Sequence, residues 1–401
     1  MANKNLGYII GIIIIIVIAA VVVEFANHMS VPPSIPSSTA NYTTHYQHGI
    51  IYVNASATGV NATGSASKPF KTINQAMAFA KSGSVIVIAP GTYSGDVNIT
   101  SKVILEGTDA NTTIINATNQ TNGIFVSGPS SDGTIITNLS IVNANNHAIY
   151  VQDADNVQIL HNIVKNNGLN PTMCPPPPAK PTGPCIEEDK PIQLVGTSNV
   201  TVKDNTVMHN MADGGIGITD LGFINPGEGA AVHVFANATD NKIIENRVLY
   251  NKGGCGIVIA SYNNGVMDNI VENNTVGFGV AGIVIATDTP NSVALNNRVE
   301  NNTAFNNFIP GIIIHSNAPG DILSNTVVEF NNVSGNGNDT EVGALNKTGI
   351  IVSGDVMPIA NTLIENNLVS NEYYGIWLRN ANSTISKNNT YRNVTVPQPS
   401  A

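Results

Sequence analysis

Acidic residues gather in two stretches of the sequence where carboxylate chemistry could take place. The first stretch spans residues 187–189, and the second spans residues 213–233 and also holds a histidine. Two carboxyl groups flanking a glycosidic bond can act as acid and base, and a histidine can transfer protons near neutral pH. Solvated loop charge is the alternative interpretation of both stretches. The predicted catalytic residues are His233, Asp213, Asp220, Glu228, Glu188 and Asp189.

Two metal sites are also conceivable from the residue types, and the sequence requires no other cofactor. Glu187 and Asp189 supply the hard oxygen ligands that Ca²⁺ prefers. Met208 and His209 supply the soft and imidazole ligands that suit copper. Adjacent strand residues point to opposite faces, so these two side chains would not both converge on one ion. Calcium is therefore the favoured metal and copper the weaker alternative.

The chain that must position these residues repeats two short elements. One is an apolar-x-apolar strand, usually after Gly or Ala, and the other is Asn-x-Val. Strand starts lie roughly 25 residues apart in the basic unit, a period typical of solenoids, and stacked asparagines can hydrogen-bond as a ladder. The repeat predicts an all-β parallel β-helix. Strands are predicted to begin at Ile124, Ile149, Ile192, Val232, Ile257, Ile283, Ile312, Ile350 and Ile376, and Asn-x-Val occurs at Asn162, Asn205, Asn246, Asn269, Asn297, Asn325 and Asn367.

Three insertions lengthen the repeat, and in this alignment each precedes a strand of the same face. They run from Val164 to Ile192, from Val207 to Val232 and from Val327 to Ile350. The alignment places the first two on neighbouring rungs, about 4.8 Å apart. Loops gathered on one face of a rigid scaffold often carry function. The acidic stretches fall in the first two insertions, which predicts an acidic groove there.

The middle residue of each predicted strand points outward, because its two apolar neighbours point inward. Tyr150, Gln193 and His233 should therefore form a column beside the groove, suited to sugar stacking, hydrogen bonding and proton transfer. Tyr150, Gln193 and Trp377 are the predicted substrate-binding residues. From Val258 to Trp377 the same column is mostly apolar. We expect this stripe to be covered by the third insertion, by the C-terminal tail or by a second protein such as another copy of the chain.

The N-terminal region predicts membrane attachment. Residues 1–5 would be a cytoplasmic N-terminus, 6–24 a transmembrane signal anchor, 25–47 a flexible Pro/Ser/Thr linker, and 48–401 an extracellular β-helix domain. A cleaved signal peptide is the competing interpretation of the apolar run. A short amphipathic helix after Pro69 would cap the solenoid. Cys174 and Cys185 flank a proline-rich stretch and are expected to form a disulfide in an oxidising compartment.

From about Ile50 to the C-terminus, the alternation of these elements and the segment from Ser67 to Tyr93 resemble right-handed parallel β-helix proteins of the pectate-lyase-like superfamily. In its Asn-rich repeats the chain is similar to the copper-binding β-helix maturation factors. The resemblance implies a right-handed solenoid and leaves the activity open, since that superfamily includes lyases, hydrolases, epimerases, adhesins and metal-delivery proteins. The short signature motifs of its polygalacturonases and alginate epimerases are absent from the sequence.

Two functions from different classes remain open. The first is a cell-surface protein that binds or processes a polysaccharide, with lyase or glycoside hydrolase as the activity if it is an enzyme. The second is a non-catalytic envelope or adhesion protein, with a copper-binding protein as a further alternative. Charged residues make up 11% of the 401 residues and the net charge is −10. Such a chain offers no basic stripe to nucleic acid, which is not an expected partner.

Overall fold

The computed structural model of the chain is a parallel β-helix. It describes residues 49–58, 60–169, 190–211, 214–220, 237–262, 264–337, 347–381 and 383–399. All of these lie in one compact unit, Gln47–Ala401. Each coil contributes one short strand to each of three faces, and strands of successive coils pair in parallel about 4.8 Å apart.

Face 1 is a sheet of twelve strands, each three to five residues long. The middle residue of each three-residue strand points inward and is buried, as at Val271, Val299 and Val328, except in the last strand, where Ser386 is half-buried. With labels in chain order along the whole chain, face 1 contains β1 (Ile50–Val53), β2 (Ser84–Ile88), β5 (Val103–Gly107), β8 (Ile135–Thr137), β11 (Gln158–Leu160), β14 (Thr201–Lys203), β18 (Lys242–Ile244), β22 (Ile270–Glu272), β26 (Arg298–Glu300), β30 (Val327–Glu329), β33 (Leu363–Glu365) and β35 (Ile385–Lys387).

From the fourth strand of face 1 onward, face 2 follows face 1 after a two-residue corner. The first corner residue there takes a left-handed backbone, which asparagine tolerates better than most residues, and the second is a buried asparagine in most coils. Face 2 contains β3 (Gly91–Ser94), β6 (Thr113–Asn116), β9 (Ser140–Val142), β12 (Ile163–Lys165), β15 (Thr206–Met208), β19 (Arg247–Leu249), β23 (Thr275–Gly277), β27 (Thr303–Phe305), β31 (Asn332–Ser334), the first part of β34 (Leu368–Arg379) and β36 (Thr390–Val396).

Face 3 carries two inward residues per strand, and its strands are usually preceded by glycine. A Cβ on Gly282 would lie 2.2 Å from the carbonyl oxygen of Gly311 in the next coil, so no larger residue fits there. Face 3 contains β4 (Val97–Ile99), β7 (Ile124–Ser127), β10 (Ile149–Gln152), β13 (Ile192–Val195), β16 (Ile216–Thr219), β20 (Ile257–Ser261), β24 (Ile283–Thr287), β28 (Ile312–Ser316), β32 (Thr348–Gly354) and the second part of β34. Four short strands, β17 (Ala238–Thr239), β21 (Gly265–Met267), β25 (Val293–Leu295) and β29 (Ile322–Ser324), lie between faces 3 and 1.

The predicted asparagine ladder is present. The asparagines of the Asn-x-Val motif lie in two separate ladders, except for one that lies on the surface. Side-chain amides at the corner of faces 1 and 2 donate to one another at 3.0–3.1 Å. The second ladder, Asn241 to Asn269 to Asn297, runs along the corner that leads into face 1. Asn325 is exposed instead. The first ladder comprises Asn162, Asn205, Asn246, Asn274, Asn302, Asn331, Asn367 and Asn389.

A third, shorter ladder lies between faces 2 and 3 and ends on a carboxyl group. Asn307 donates to Asn336, and both the backbone N–H and the side chain of Asn336 donate to Oε1 of Glu372 at 2.9 Å. Glu372 is only 4% exposed, and its Oε2 has no hydrogen-bond partner. Burial raises the pKa of Glu372 to about 7, against the two donations from Asn336, which lower it.

The capping helix is confirmed. Helix α1 (Ile73–Phe79) begins with a capping box in which Thr72 accepts from Gln75 N–H and the Gln75 side chain accepts from Thr72 N–H. Ile73 and Ala76 are buried against the first coils. The segment 63–70 covers the free edge of β1 through bonds such as Phe70 N–H to Tyr52 O. The solenoid therefore begins with a closed end.

The prediction of a membrane-spanning helix has to be corrected. Within the part of the chain that the structure describes, no helix is long and apolar enough to cross a membrane. The predicted segments 1–5, 6–24 and 25–47 lie outside that part, as do Cys174 and Cys185. The fold is therefore an all-β parallel β-helix with one short capping helix.

The register of face 3 differs from the predicted one. The strand that pairs with β13 and β20 is β16, so Gln193 lies beside Gly217 where His233 was expected. Gly215 precedes Ile216, just as Gly256 and Gly282 precede their strands, and this glycine corner is where the chain enters face 3. The second insertion consequently follows a face 3 strand instead of preceding it, and the first two insertions leave different corners of the coil.

Candidate functional site

Most of the predicted acids cannot be located. Asp213, Glu228, Glu187, Glu188, Asp189 and also His233 lie outside the described residues. The predicted binding residues Tyr150 and Gln193 are described, and they are directly paired across β10 and β13. The candidate site is therefore built from the outer side of face 3 at these two coils and the next.

Tyr150 lies at the centre of an aromatic stack. Its ring is 5.2 Å from Phe125 in the coil before, nearly parallel at 11°, and 4.7 Å from His147. Its hydroxyl donates to Oε1 of Gln152 at 3.0 Å. Burial, and then the charge of Asp153, raise the pKa of Tyr150 above its usual value. The phenol thus holds its proton more firmly than an unperturbed tyrosine does.

His147 was missed by the sequence analysis because it precedes the apolar-x-apolar triplet. It is buried, and its Nδ1 lies 2.8 Å from the backbone carbonyl oxygen of Lys190. A carbonyl oxygen can only accept, so Nδ1 carries the proton of this bond. In the neutral ring, Nε2 is then the nitrogen with the lone pair. The stacked pair of His147 and Tyr150 therefore combines a proton acceptor with a proton donor.

Gln193 supplies the unsatisfied polar atom of the site. Its side chain is 1% exposed, and its Nε2 donates to Oγ1 of Thr219 at 3.1 Å. Its Oε1 is buried and has no hydrogen-bond partner. A buried polar atom without a partner lowers the stability of the folded chain by about 1–3 kcal/mol.

Gly217 allows the Gln193 side chain to pack closely against the backbone. It is the direct neighbour of Gln193 on β16. A Cβ at this position would lie 2.5 Å from Oε1 of Gln193 and 2.7 Å from Cγ of Lys190. Lys190 itself is also buried. The site thus consists of Gln193 and Lys190 packed against Gly217, together with His147 and Tyr150.

Asp220 has a structural environment. It directly follows β16, and its carboxylate is fully buried. Oδ2 accepts from Ser261 Oγ and Asn264 N–H, and Oδ1 accepts from Tyr262 N–H, at 2.7–2.8 Å. These three bonds fasten the turn after β20 to the preceding coil, and they occupy both oxygens. The geometry therefore favours a positioning role in the fold over acid or base catalysis.

The predicted copper ligands do not converge in the described structure. Met208 ends β15, and the next residue, His209, takes a left-handed backbone and is exposed. The His209 ring stacks on Tyr250 at 5.4 Å. Among the residues that the structure describes, no three His, Cys, Asp or Glu side chains are grouped closely enough to hold a metal ion. The calcium and copper predictions stay predictions.

The apolar stripe of face 3 is covered by the chain itself. Val258, Val284 and Ile351 are buried, and Val258 and Val284 belong to a cluster with Tyr262 and Ile309. Neither Tyr262 nor Ile309 belongs to the third insertion or to the C-terminal tail, so these two valines are covered by a different part of the chain from the one predicted. Trp377, at the end of the stripe, is half-buried and lies far from Tyr150 in the column.

Comparison with known proteins agrees with this architecture. The family model described as right-handed beta helix region matches residues 48–328. No curated protein sequence matches the chain.

Solved structures of similar fold share little sequence with the chain. The hyperthermoactive exopolygalacturonase of Thermotoga maritima is 11% identical, with a TM-score of 0.54 over 79% of this chain and 86% of that one. Pectate lyase Pel9A is 14% identical, with a TM-score of 0.44 over 88% and 82%. The surface adhesin PfbA of Streptococcus pneumoniae is 12% identical, with a TM-score of 0.49 over 82% and 88%. At such identities the likeness concerns the fold alone.

Proposed function

We propose that the chain, which belongs to the right-handed beta helix family, binds and processes a glycan on the outer side of face 3, at His147, Tyr150, Lys190 and Gln193. The observation that carries this proposal is the buried Oε1 of Gln193, which has no hydrogen-bond partner and lies close to Gly217. Sugar hydroxyls are donors that would satisfy this oxygen, and aromatic rings such as Tyr150 and Phe125 suit the apolar side of a sugar.

The described residues fit β-elimination better than hydrolysis. Hydrolysis normally uses two carboxyl groups, and the described Asp220 has both oxygens occupied by structural hydrogen bonds. Elimination begins when a base takes the proton from the carbon next to a uronate carboxyl group, and the imidazole of His147 would be that base. The electron pair forms a carbon–carbon double bond, the glycosidic C–O bond breaks, and the leaving oxygen receives the Tyr150 proton.

A panel of soluble polysaccharides tests this proposal on the full chain. Elimination creates an unsaturated uronate that absorbs ultraviolet light, whereas hydrolysis creates reducing ends without that absorbance. Gln193→Leu and Tyr150→Phe keep the shape of each side chain and remove its polar atoms. Both should lower turnover at least tenfold without lowering the unfolding temperature. Gln158→Leu makes the same change at an exposed position on face 1 and should leave turnover unchanged.

Burial of the same side chains favours a second candidate function, a non-catalytic surface protein. Tyr150 is 4% exposed and Gln193 is 1% exposed, as is usual for groups that hold a structure together. In that case the variants would lower the unfolding temperature, and the panel would show no cleavage product with the wild-type chain. Absence of turnover across the panel would refute the proposed enzyme.

A further inference from the structure

A second aromatic cluster lies at the far end of face 3. The ring of Tyr374 packs against Tyr373 at 4.6 Å and against Trp377 at 4.4 Å, with interplanar angles of 81° and 65°. Tyr373 is 47% exposed, and the other two rings are half-buried. All three residues lie on β34, the strand that continues from face 2 into face 3. The cluster is thus held by a single long strand.

The mutual geometry of these rings leaves ring faces uncovered. In a T-shaped contact, an edge of one ring meets a face of the other, so further faces remain for a ligand. The exposed aromatic stack of His209, Tyr250 and Phe278 is arranged differently. Its rings are parallel within 13° and cover one another's faces at 4.3–5.4 Å. In the cluster on β34 the rings do not cover one another's faces in this way, so a flat apolar ligand can stack on them.

Polar groups flank the cluster on the same face. The outward column next to that of Trp377 contains Ser353 and Arg379, which are paired in register. Nη1 of Arg379 lies 3.1 Å from Oδ1 of Asp355, and Ser353 Oγ donates to the same carboxylate at 2.7 Å. Both charged side chains are substantially exposed, 51% for Arg379 and 38% for Asp355. Exposed aromatic faces beside a charged donor and acceptor match a sugar ring, which has apolar C–H faces and hydroxyls at its rim.

We infer that Tyr373, Tyr374 and Trp377 form a second glycan-binding platform, with Arg379 and Asp355 as its hydrogen-bonding groups. Trp377 stands seven strands from Tyr150 in the same column, a separation of about 34 Å at 4.8 Å per strand. This inference rests on the proposed function only in taking a glycan as the ligand. A glycan long enough to reach both sites would bind more tightly than a short one, because the second contact is intramolecular.

Trp377 is the only tryptophan in the chain, so intrinsic tryptophan emission reports directly on the platform. We expect glycans of the panel to quench or shift this emission in the full-length protein. Tyr373→Ser should weaken that response at least tenfold in affinity, and Trp377→Phe should weaken binding similarly when it is measured by calorimetry. Phe308→Ser removes an aromatic ring of comparable exposure elsewhere and should change nothing.

Gln193→Leu separates the two proposals. If the platform is an independent site, this variant loses turnover and keeps the tryptophan response to short glycans. A response that disappears with Gln193→Leu would mean a single site and would overturn the platform. Glycan binding detected by calorimetry without any change in tryptophan emission, or undiminished in Tyr373→Ser, would overturn it too. A protein that binds no glycan of the panel would contradict both proposals. The unfolding temperature of each variant is measured as well, and only variants that unfold at the wild-type temperature are compared. A loss of folding is then not mistaken for the loss of a site.

Discussion

Replacing Glu372 by glutamine tests the physical account of the third ladder most directly. The carboxyl group is 4% exposed, accepts two hydrogen bonds from Asn336 at Oε1, and has no partner at Oε2. Its pKa is about 7 in the folded chain against 4.5 for an unperturbed glutamate. Glutamine keeps the acceptor for Asn336 and carries no charge at any pH. The substitution therefore isolates the cost of ionising this buried group.

The sign and size of the effect follow from proton linkage. Below pH 4.5 the folded and unfolded chains both hold the proton, so the contribution to the free energy of unfolding is constant. Between pH 4.5 and 7 the folded chain retains the proton while the unfolded chain releases it. Stability is therefore lost as pH rises through this window. The pKa difference corresponds to about 3 kcal/mol at about 1.4 kcal/mol per unit.

Denaturant unfolding at a series of pH values provides the assay. Trp377 lies on the same strand as Glu372, so its emission follows the coils concerned. Wild type should lose up to about 3 kcal/mol between pH 4 and pH 8 from this group, and Glu372→Gln should not. The control variant Glu272→Gln, in strand β22 of face 1, should keep the wild-type pH dependence of stability. Parallel curves for wild type and Glu372→Gln, or a less stable Glu372→Gln at pH 8, would refute the reasoning.

Two further substitutions test the corners of the coil. Asn302→Ala removes two donated hydrogen bonds and leaves the backbone and side-chain amides of Asn274 without their acceptor. It should therefore lower the free energy of unfolding by about 3 kcal/mol, as measured by urea unfolding. The control Asn332→Ala, at an exposed position, should lower it far less. Gly282→Ala places a Cβ 2.2 Å from a carbonyl oxygen of the next coil and should cost at least about 2 kcal/mol in the same assay. Gly279→Ala meets nothing closer than 3.4 Å and serves as its control; equal losses for the two glycines would contradict the steric explanation.

The sequence predicted the solenoid because its period, its alternation of inward and outward residues and its corner asparagines are all local patterns. The pairs Tyr150 with Gln193 and Val258 with Val284 follow from that alternation, and both are found in register. The capping helix was predictable from its amphipathic spacing alone. These features depend on neighbouring residues in the chain, which is why one sequence sufficed.

The strand that pairs with β13 was predicted wrongly because two segments of the sequence have the same residue pattern. Val232-His233-Val234 and Ile216-Gly217-Ile218 both fit the apolar-x-apolar pattern, and both follow a small residue. What distinguishes them is the glycine corner at Gly215, where a Cβ would lie 2.5 Å from the carbonyl oxygen of the next coil. That requirement involves residues about 40 positions away, so a pattern of three residues could not reveal it.

The candidate site was only half predictable for a related reason. The outward column identified Tyr150 and Gln193, but not the bond from His147 to the Lys190 carbonyl oxygen, which joins residues separated by 43 positions. The missing hydrogen bond of Gln193 is likewise a property of the packed structure. A histidine two residues before a strand start was the signal available in the sequence, and the triplet pattern excluded it.

The asparagine ladders also bear on how such a chain can change its length in evolution. Asn241 and Asn269 each lie 28 residues before the next member of the second ladder and make the same bonds to it. Deleting residues 269–296 would bring Asn297 to the place of Asn269, with an acceptor of identical type at the same corner. Duplication or loss of this coil by recombination would thus leave the corner that leads into face 1 chemically unchanged, and the distance between the two ends of face 3 would change by one coil.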